Sequence, residues 1–99
     1  MQYKLIVLSG PENIGKSFPL TEGTHYLGRT NPPCDLTLNG VKVSKRHCSF
    51  VLAGEKLTIS DLKSSNGVFV NGQKVNDRVL IAKDRIVVGE FLLEVKVEK

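Results

Sequence analysis

Apolar residues recur at every second position through most of this chain, in short runs cut by turn-forming residues. From Phe91 to Glu98, Phe91, Leu93, Val95 and Val97 point one way, while Glu94, Lys96 and Glu98 point the other. Leu57, Ile59 and Asp61 alternate with Thr58 and Ser60, Cys48, Phe50 and Leu52 mark one face of another run, and Tyr3, Leu5 and Val7 one face of the first. Period two belongs to an extended strand, whose successive side chains leave the pleat on opposite sides. Turn signals fall between the runs: Gly54-Glu55, Asn71-Gly72 and Gly89-Glu90 each separate two of them, and Pro32-Pro33 makes residues 30–34 a loop. Asn71-Gly72 is a strong hairpin signal because both positions tolerate positive φ, and a leading Gly89 suits a type II′ turn. No window carries a helix of useful length. The expected fold is all-β, about ten short strands closed as a sandwich or barrel in one domain over residues 1–99.

The chain is 99 residues long, with 40% apolar and 24% charged residues, enough to bury a core without disulfides or metal. It has no run approaching the roughly 20 apolar residues of a membrane helix. The start lacks the basic, apolar and small-residue sequence of a signal peptide. Cys34 and Cys48 show no framework spacing and fit a reducing compartment, so a cytoplasmic protein is expected. The net charge of +4 is concentrated: between Arg29 and Lys74 seven Lys/Arg face three Asp/Glu, and elsewhere seven of each sign cancel. A positive middle segment suits an anionic partner.

One motif points elsewhere. Gly10, Gly15, Lys16 and Ser17 satisfy the G-x-x-x-x-G-K-[ST] pattern of a nucleotide-binding P-loop, after a strand-like segment. A P-loop needs a following helix whose positive end faces the phosphates. Here Ser17 leads into Phe18-Pro19-Leu20-Thr21-Glu22-Gly23, which cannot supply that helix. The segment is read instead as the turn of a hairpin between strands 3–9 and 16–20.

Three other stretches concentrate hydrogen-bond donors at loops beside strands: residues 26–30, 43–50 and 61–72. Arg29 offers a planar fork of donors, Ser44 and Ser65 hydroxyls, Asn66 an amide, and Lys45 and Arg46 cationic heads. Loops at one end of a sandwich converge, so such donors can surround one anion. Phosphate, with three acceptor oxygens and a charge of about −1.5 to −2, suits that ring. Arg46 is expected to lie on the other side of its loop and to be simply solvated.

These stretches resemble the forkhead-associated (FHA) domain, a phosphothreonine-binding β-sandwich. The pattern is Gly28-Arg29, then Ser44-x-x-His47, Asn66-Gly67 and Asn71-Gly72, in order and over nearly the whole chain. The resemblance implies a two-sheet antiparallel sandwich of ten to eleven strands. It implies that Arg29 and Ser44 bind phosphate, that Lys45 adds a contact, and that Ser65 lies on the phosphate or near the threonine methyl. Asn66 would bond the peptide backbone. Gly28, His47, Gly67, Asn71 and Gly72 would be architectural, with His47 bracing the Ser44 loop. Val68 stands where the family often carries Thr. The implied function is a monomeric phosphothreonine-dependent binding module in Ser/Thr kinase signalling. Its partner would be a kinase or kinase substrate, rather than nucleic acid or membrane. The alternative on the same fold is phosphate-independent interaction or oligomerisation.

Enzymatic and metal chemistry find little support. Cys34, Cys48, His25 and His47 lack zinc-ligand spacing, and Cys48 and His47, adjacent on a strand, would face opposite sides. Asp61 is a lone carboxylate near the donors, without a nucleophile and base. No catalytic residue, metal or cofactor is expected.

Overall fold

The computed structural model describes residues 2–32 and 34–98. Among the described residues eleven strands form two sheets. The six-stranded sheet contains β1 (Gln2–Ser9), β2 (Ser17–Leu20), β7 (Val68–Val70), β8 (Gln73–Val75), β10 (Arg85–Val88) and β11 (Phe91–Glu98), in the order β2-β1-β11-β10-β7-β8. The five-stranded sheet contains β3 (Gly23–Gly28), β4 (Leu36–Thr37), β5 (Cys48–Ala53), β6 (Lys56–Asp61) and β9 (Asp77–Leu80), in the order β4-β3-β5-β6-β9. Pairing is antiparallel except for the two-residue contact of β4 with β3. A parallel neighbour cannot be reached by a tight hairpin. The segment after Gly28 has to swing round first, which is why Arg29 and Thr30 lie in an open loop.

The predicted alternation is realised. Tyr3, Leu5 and Val7 of β1 are buried, as are Cys48, Phe50 and Leu52 of β5, Leu57 and Ile59 of β6, and Phe91, Leu93 and Val95 of β11. They fill one core between the two sheets. The predicted turns close as expected: Asn71 and Gly72 have φ of 50° and 86°, and Gly89 has 58°. Pro33, part of the predicted 30–34 loop, lies outside the described residues.

The P-loop match forms the β1–β2 connection. The Gly15 amide donates to the Val7 carbonyl at 2.8 Å and the Lys16 amide to Asn13 at 2.9 Å. Those amides are therefore used by the chain, and Ser17 opens a strand rather than a helix. The Lys16 ammonium sits 5.1 Å from the centre of the Phe18 ring.

Candidate functional site

Strand register brings three loops to one end of the molecule. Leu27 pairs with Cys48, and Cys48 with Asp61. The end of β3, the start of β5 and the end of β6 therefore lie side by side. Arg29 follows the first, the 44–47 loop precedes the second, and the 62–67 loop follows the third. Together they frame a groove of about 220 Å³ lined by Arg29, Val41, Lys42, Val43, Ser44, Lys45, Ser65 and Asn66.

His47 holds the groove together. The ring is fully buried; its Nδ1 accepts the Ser44 amide at 3.0 Å and its Nε2 lies 2.8 Å from the Gly67 carbonyl. An accepting Nδ1 and a donating Nε2 define the neutral Nε2–H tautomer. One side chain thus ties the Ser44 loop to the loop bearing Ser65 and Asn66. The His47 amide and carbonyl add bonds to Leu27 and Leu62, at 2.8 and 3.0 Å. His47 precedes β5 rather than lying on it. Its ring is therefore free of the strand alternation that was expected to oppose it to Cys48, and both residues are buried.

Further bonds set the donors. The Arg29 amide donates to the Ser44 carbonyl at 3.1 Å. Ser44 Oγ accepts the Ser65 amide at 3.1 Å, leaving its hydroxyl hydrogen to donate elsewhere. Asn66 Nδ2 donates to the Lys42 carbonyl at 3.0 Å, which leaves its second N–H and its oxygen. Gly28 is fixed by close approach: a Cβ there would lie 2.0 Å from the Lys45 carbonyl oxygen and 2.7 Å from Cys34 Sγ. Cys34 itself donates to that carbonyl oxygen, at 3.1 Å.

The electrostatics are one-sided. Among the described residues Arg29, Lys42 and Lys45 line the groove and no carboxylate does. Among the described residues none of the three forms an ion pair. Burial pushes the Cys34 thiol up, against the opposing pull of Arg46, and burial drives Cys48 up much further. Burial and a raised pKa both disfavour the reactive thiolate at each cysteine. No cluster of three potential metal ligands occurs among the described residues.

All five predicted ligand residues, Arg29, Ser44, Lys45, Ser65 and Asn66, meet in this groove. Gly28, His47 and Gly67 support it directly. Asn71 and Gly72 lie at the far end of β7, where Asn71 Nδ2 donates to Asp84 and its Oδ1 accepts the Arg85 amide, both at 3.0 Å. They brace the sandwich away from the groove. Arg46 is turned aside, its guanidinium 4.8 Å from the centre of the Tyr26 ring. Asp61 Oδ1 accepts the Ser64 amide at 3.1 Å, a loop-bracing role. Sequence reasoning missed Val41 and Lys42, which lie in a loop without periodicity. It also treated Glu90, which supports them, only as a turn residue.

The FHA domain model matches residues 25–89, nearly two thirds of the chain and the whole of the groove. The chain belongs to the FHA domain family. The glycogen accumulation regulator GarA of Mycolicibacterium smegmatis is 39% identical over 90% of the chain, which spans 55% of that relative's length. The FHA domain of CT664 from Chlamydia trachomatis superposes with a TM-score of 0.94 over 100% of both chains, at 28% identity. A structure from a structural and functional analysis of phosphothreonine-dependent FHA domain interactions gives a TM-score of 0.91, covering 100% of this chain and 99% of that one at 27% identity. FHA domains generally bind phosphothreonine peptides and are non-catalytic interaction modules. The sandwich described above is the FHA fold.

Proposed function

We propose that this FHA domain binds a phosphothreonine segment of a partner protein in Ser/Thr kinase signalling, the partner being a kinase or its substrate in the cytoplasm. The observation that carries the reading is a groove lined by Arg29, Lys42, Lys45, Ser44, Ser65 and Asn66 with no carboxylate among them. A dianion offsets most of that charge and accepts from those donors. Arg29 supplies a planar fork to two phosphate oxygens, with charge-assisted bonds of about 1.5–3 kcal/mol each. The Ser44 hydroxyl and Lys45 contact the remaining oxygens, and Ser65 lies beside them or near the threonine methyl. Asn66 uses its remaining amide groups on the peptide backbone next to the phosphorylated residue. The extra methyl of phosphothreonine, if buried, is worth about 0.8 kcal/mol over phosphoserine, and β-branching limits rotamer loss on binding.

Calorimetric titration with a phosphothreonine peptide, its unphosphorylated form and ATP tests the proposal. Phosphopeptide binding alone is expected. Arg29→Ala should cost about 2–5 kcal/mol of that affinity, and Lys16→Ala should leave it unchanged. Equal affinity for the unphosphorylated peptide would favour a phosphate-independent role and refute this one.

A further inference from the structure

Val41 is the most exposed large apolar residue among those the structure describes, at 86%, and it lines the groove. A single exposed valine carries no message by itself. This one is held in place by an unusual amount of structure. Glu90, in the β10–β11 turn, reaches across the chain so that Oε2 accepts the Val41 amide at 2.9 Å and Oε1 the Lys42 amide at 3.0 Å. The Lys42 carbonyl is held from the other side by Asn66 Nδ2 at 3.0 Å. The Val43 amide closes the segment on the Gly40 carbonyl at 3.1 Å.

The approach is close enough to dictate residue type. A Cβ on Gly40 would lie 2.5 Å from Glu90 Oε1, and one on Gly89 would lie 2.8 Å from Val43 Cγ2 and 2.9 Å from the Lys42 carbonyl carbon. Gly89 also has a φ of 58°, in the left-handed region. Glu90 does not line the groove. Its charge faces two backbone amides, which offset part of its repulsion toward an anion in the groove. The loop at the groove's lip is thus rigid before any ligand arrives, and binding loses little loop entropy there.

We propose that Glu90 is a positioning residue that fixes Val41 as an apolar shelf on the lip of the groove, so that the domain prefers phosphothreonine peptides with an apolar side chain next to the phosphorylated residue. This rests on the phosphothreonine reading above. Ligand sites pair a few fixed polar groups with apolar surface, and here Arg29 and Ser44 supply the first while Val41 supplies the second. An apolar side chain seated on Val41 removes from water a surface that is otherwise fully wet. Burial equivalent to one or two methylenes corresponds to a gain of about four- to fifteenfold, and about fivefold is expected for partial cover.

The test is a positional scan of phosphothreonine peptides in which each flanking residue is alanine, leucine or aspartate, read by fluorescence anisotropy. Wild type should prefer leucine to alanine about fivefold at one flanking position. Val41→Ala should bring that ratio close to one. Glu90→Ala should do the same, and Glu90→Gln, whose single amide oxygen accepts one of the two bonds, should give an intermediate ratio. A merely structural Glu90 would weaken leucine and alanine peptides equally and leave the ratio intact. The proposal is overturned if wild type shows no leucine preference at either position adjacent to the phosphothreonine, or if Val41→Ala retains it. Absence of all phosphopeptide binding would instead refute the underlying function. Val41 is exposed, so its variant folds even where a Glu90 variant does not.

Discussion

Replacing His47 separates what holds the groove from what binds in it. The alanine variant leaves the Gly67 carbonyl without its imidazole donor and the Ser44 amide without its acceptor. Gly67 is buried, so its lost partner costs about 1–3 kcal/mol. Ser44 is half-buried and recovers part of its bond from water, adding about 1 kcal/mol. The imidazole-sized void adds about 1 kcal/mol more. His47→Ala should therefore lose about 3–5 kcal/mol in a urea titration, leaving the domain folded but weakened. Two further variants divide the loss. Asparagine reaches as far as Nδ1 and restores an acceptor for Ser44; glutamine reaches as far as Nε2 and restores a donor for Gly67. The Ser44 carbonyl sets the Arg29 amide, so the Ser44 bond governs the pair proposed to bind phosphate. Asparagine should keep phosphopeptide affinity within about threefold, while glutamine should lose about tenfold or more, one to two hydrogen bonds' worth. A His47→Ala loss below 1 kcal/mol, or equal affinity losses for the asparagine and glutamine variants, would refute this account.

Other consequences can be checked separately. Gly28→Ala places a methyl where the Lys45 carbonyl stands, and should destabilise by about 1–3 kcal/mol or more, lowering Tm by roughly 4 °C or more. Asp35 is partly desolvated, which raises its pKa, but the Tyr26 amide at 2.7 Å and the His25 ring at 2.9 Å outweigh that and hold the carboxyl low. A lowered pKa stabilises the fold above about pH 4, and that stability is lost as pH falls through the folded value. Asp35→Asn should thus flatten the acid limb of a thermal melt series. Phosphopeptide affinity should fall earlier, below about pH 6, as the phosphate takes up a proton. Both cysteines are buried with raised thiols, so a disulfide reagent at pH 8 should label neither in native protein and both in urea.

The strands, the turns and five of the side chains that line the groove, Arg29, Ser44, Lys45, Ser65 and Asn66, were legible in the sequence. Phe91, Leu93 and Val95 declare their shared face because strand periodicity is local, and Asn71-Gly72 declares its turn because φ preference is local. The decoy at Gly10–Ser17 was also readable, since a P-loop needs a helix and Pro19 with Gly23 denies one. Partner choice within the groove was not readable. Arg46 was expected to point away from the groove, but nothing in the sequence says that it stacks on Tyr26, or that Asn66 ties one amide hydrogen to Lys42. Glu90 looked like any turn residue because its partners lie 48 and 49 positions away.

The sequence by itself determined an all-β chain with cationic, hydroxyl and amide donors in three loop segments, through alternation and residue type. Only the tertiary structure decided that Arg29, Ser44 and Asn66 share one groove, that His47 fixes it, and that Glu90 rather than a neighbour in sequence holds its lip. The physical reason is range. Pleat and turn energies act over a few residues, whereas the groove depends on strand register and on loops meeting across both sheets, which no local pattern encodes.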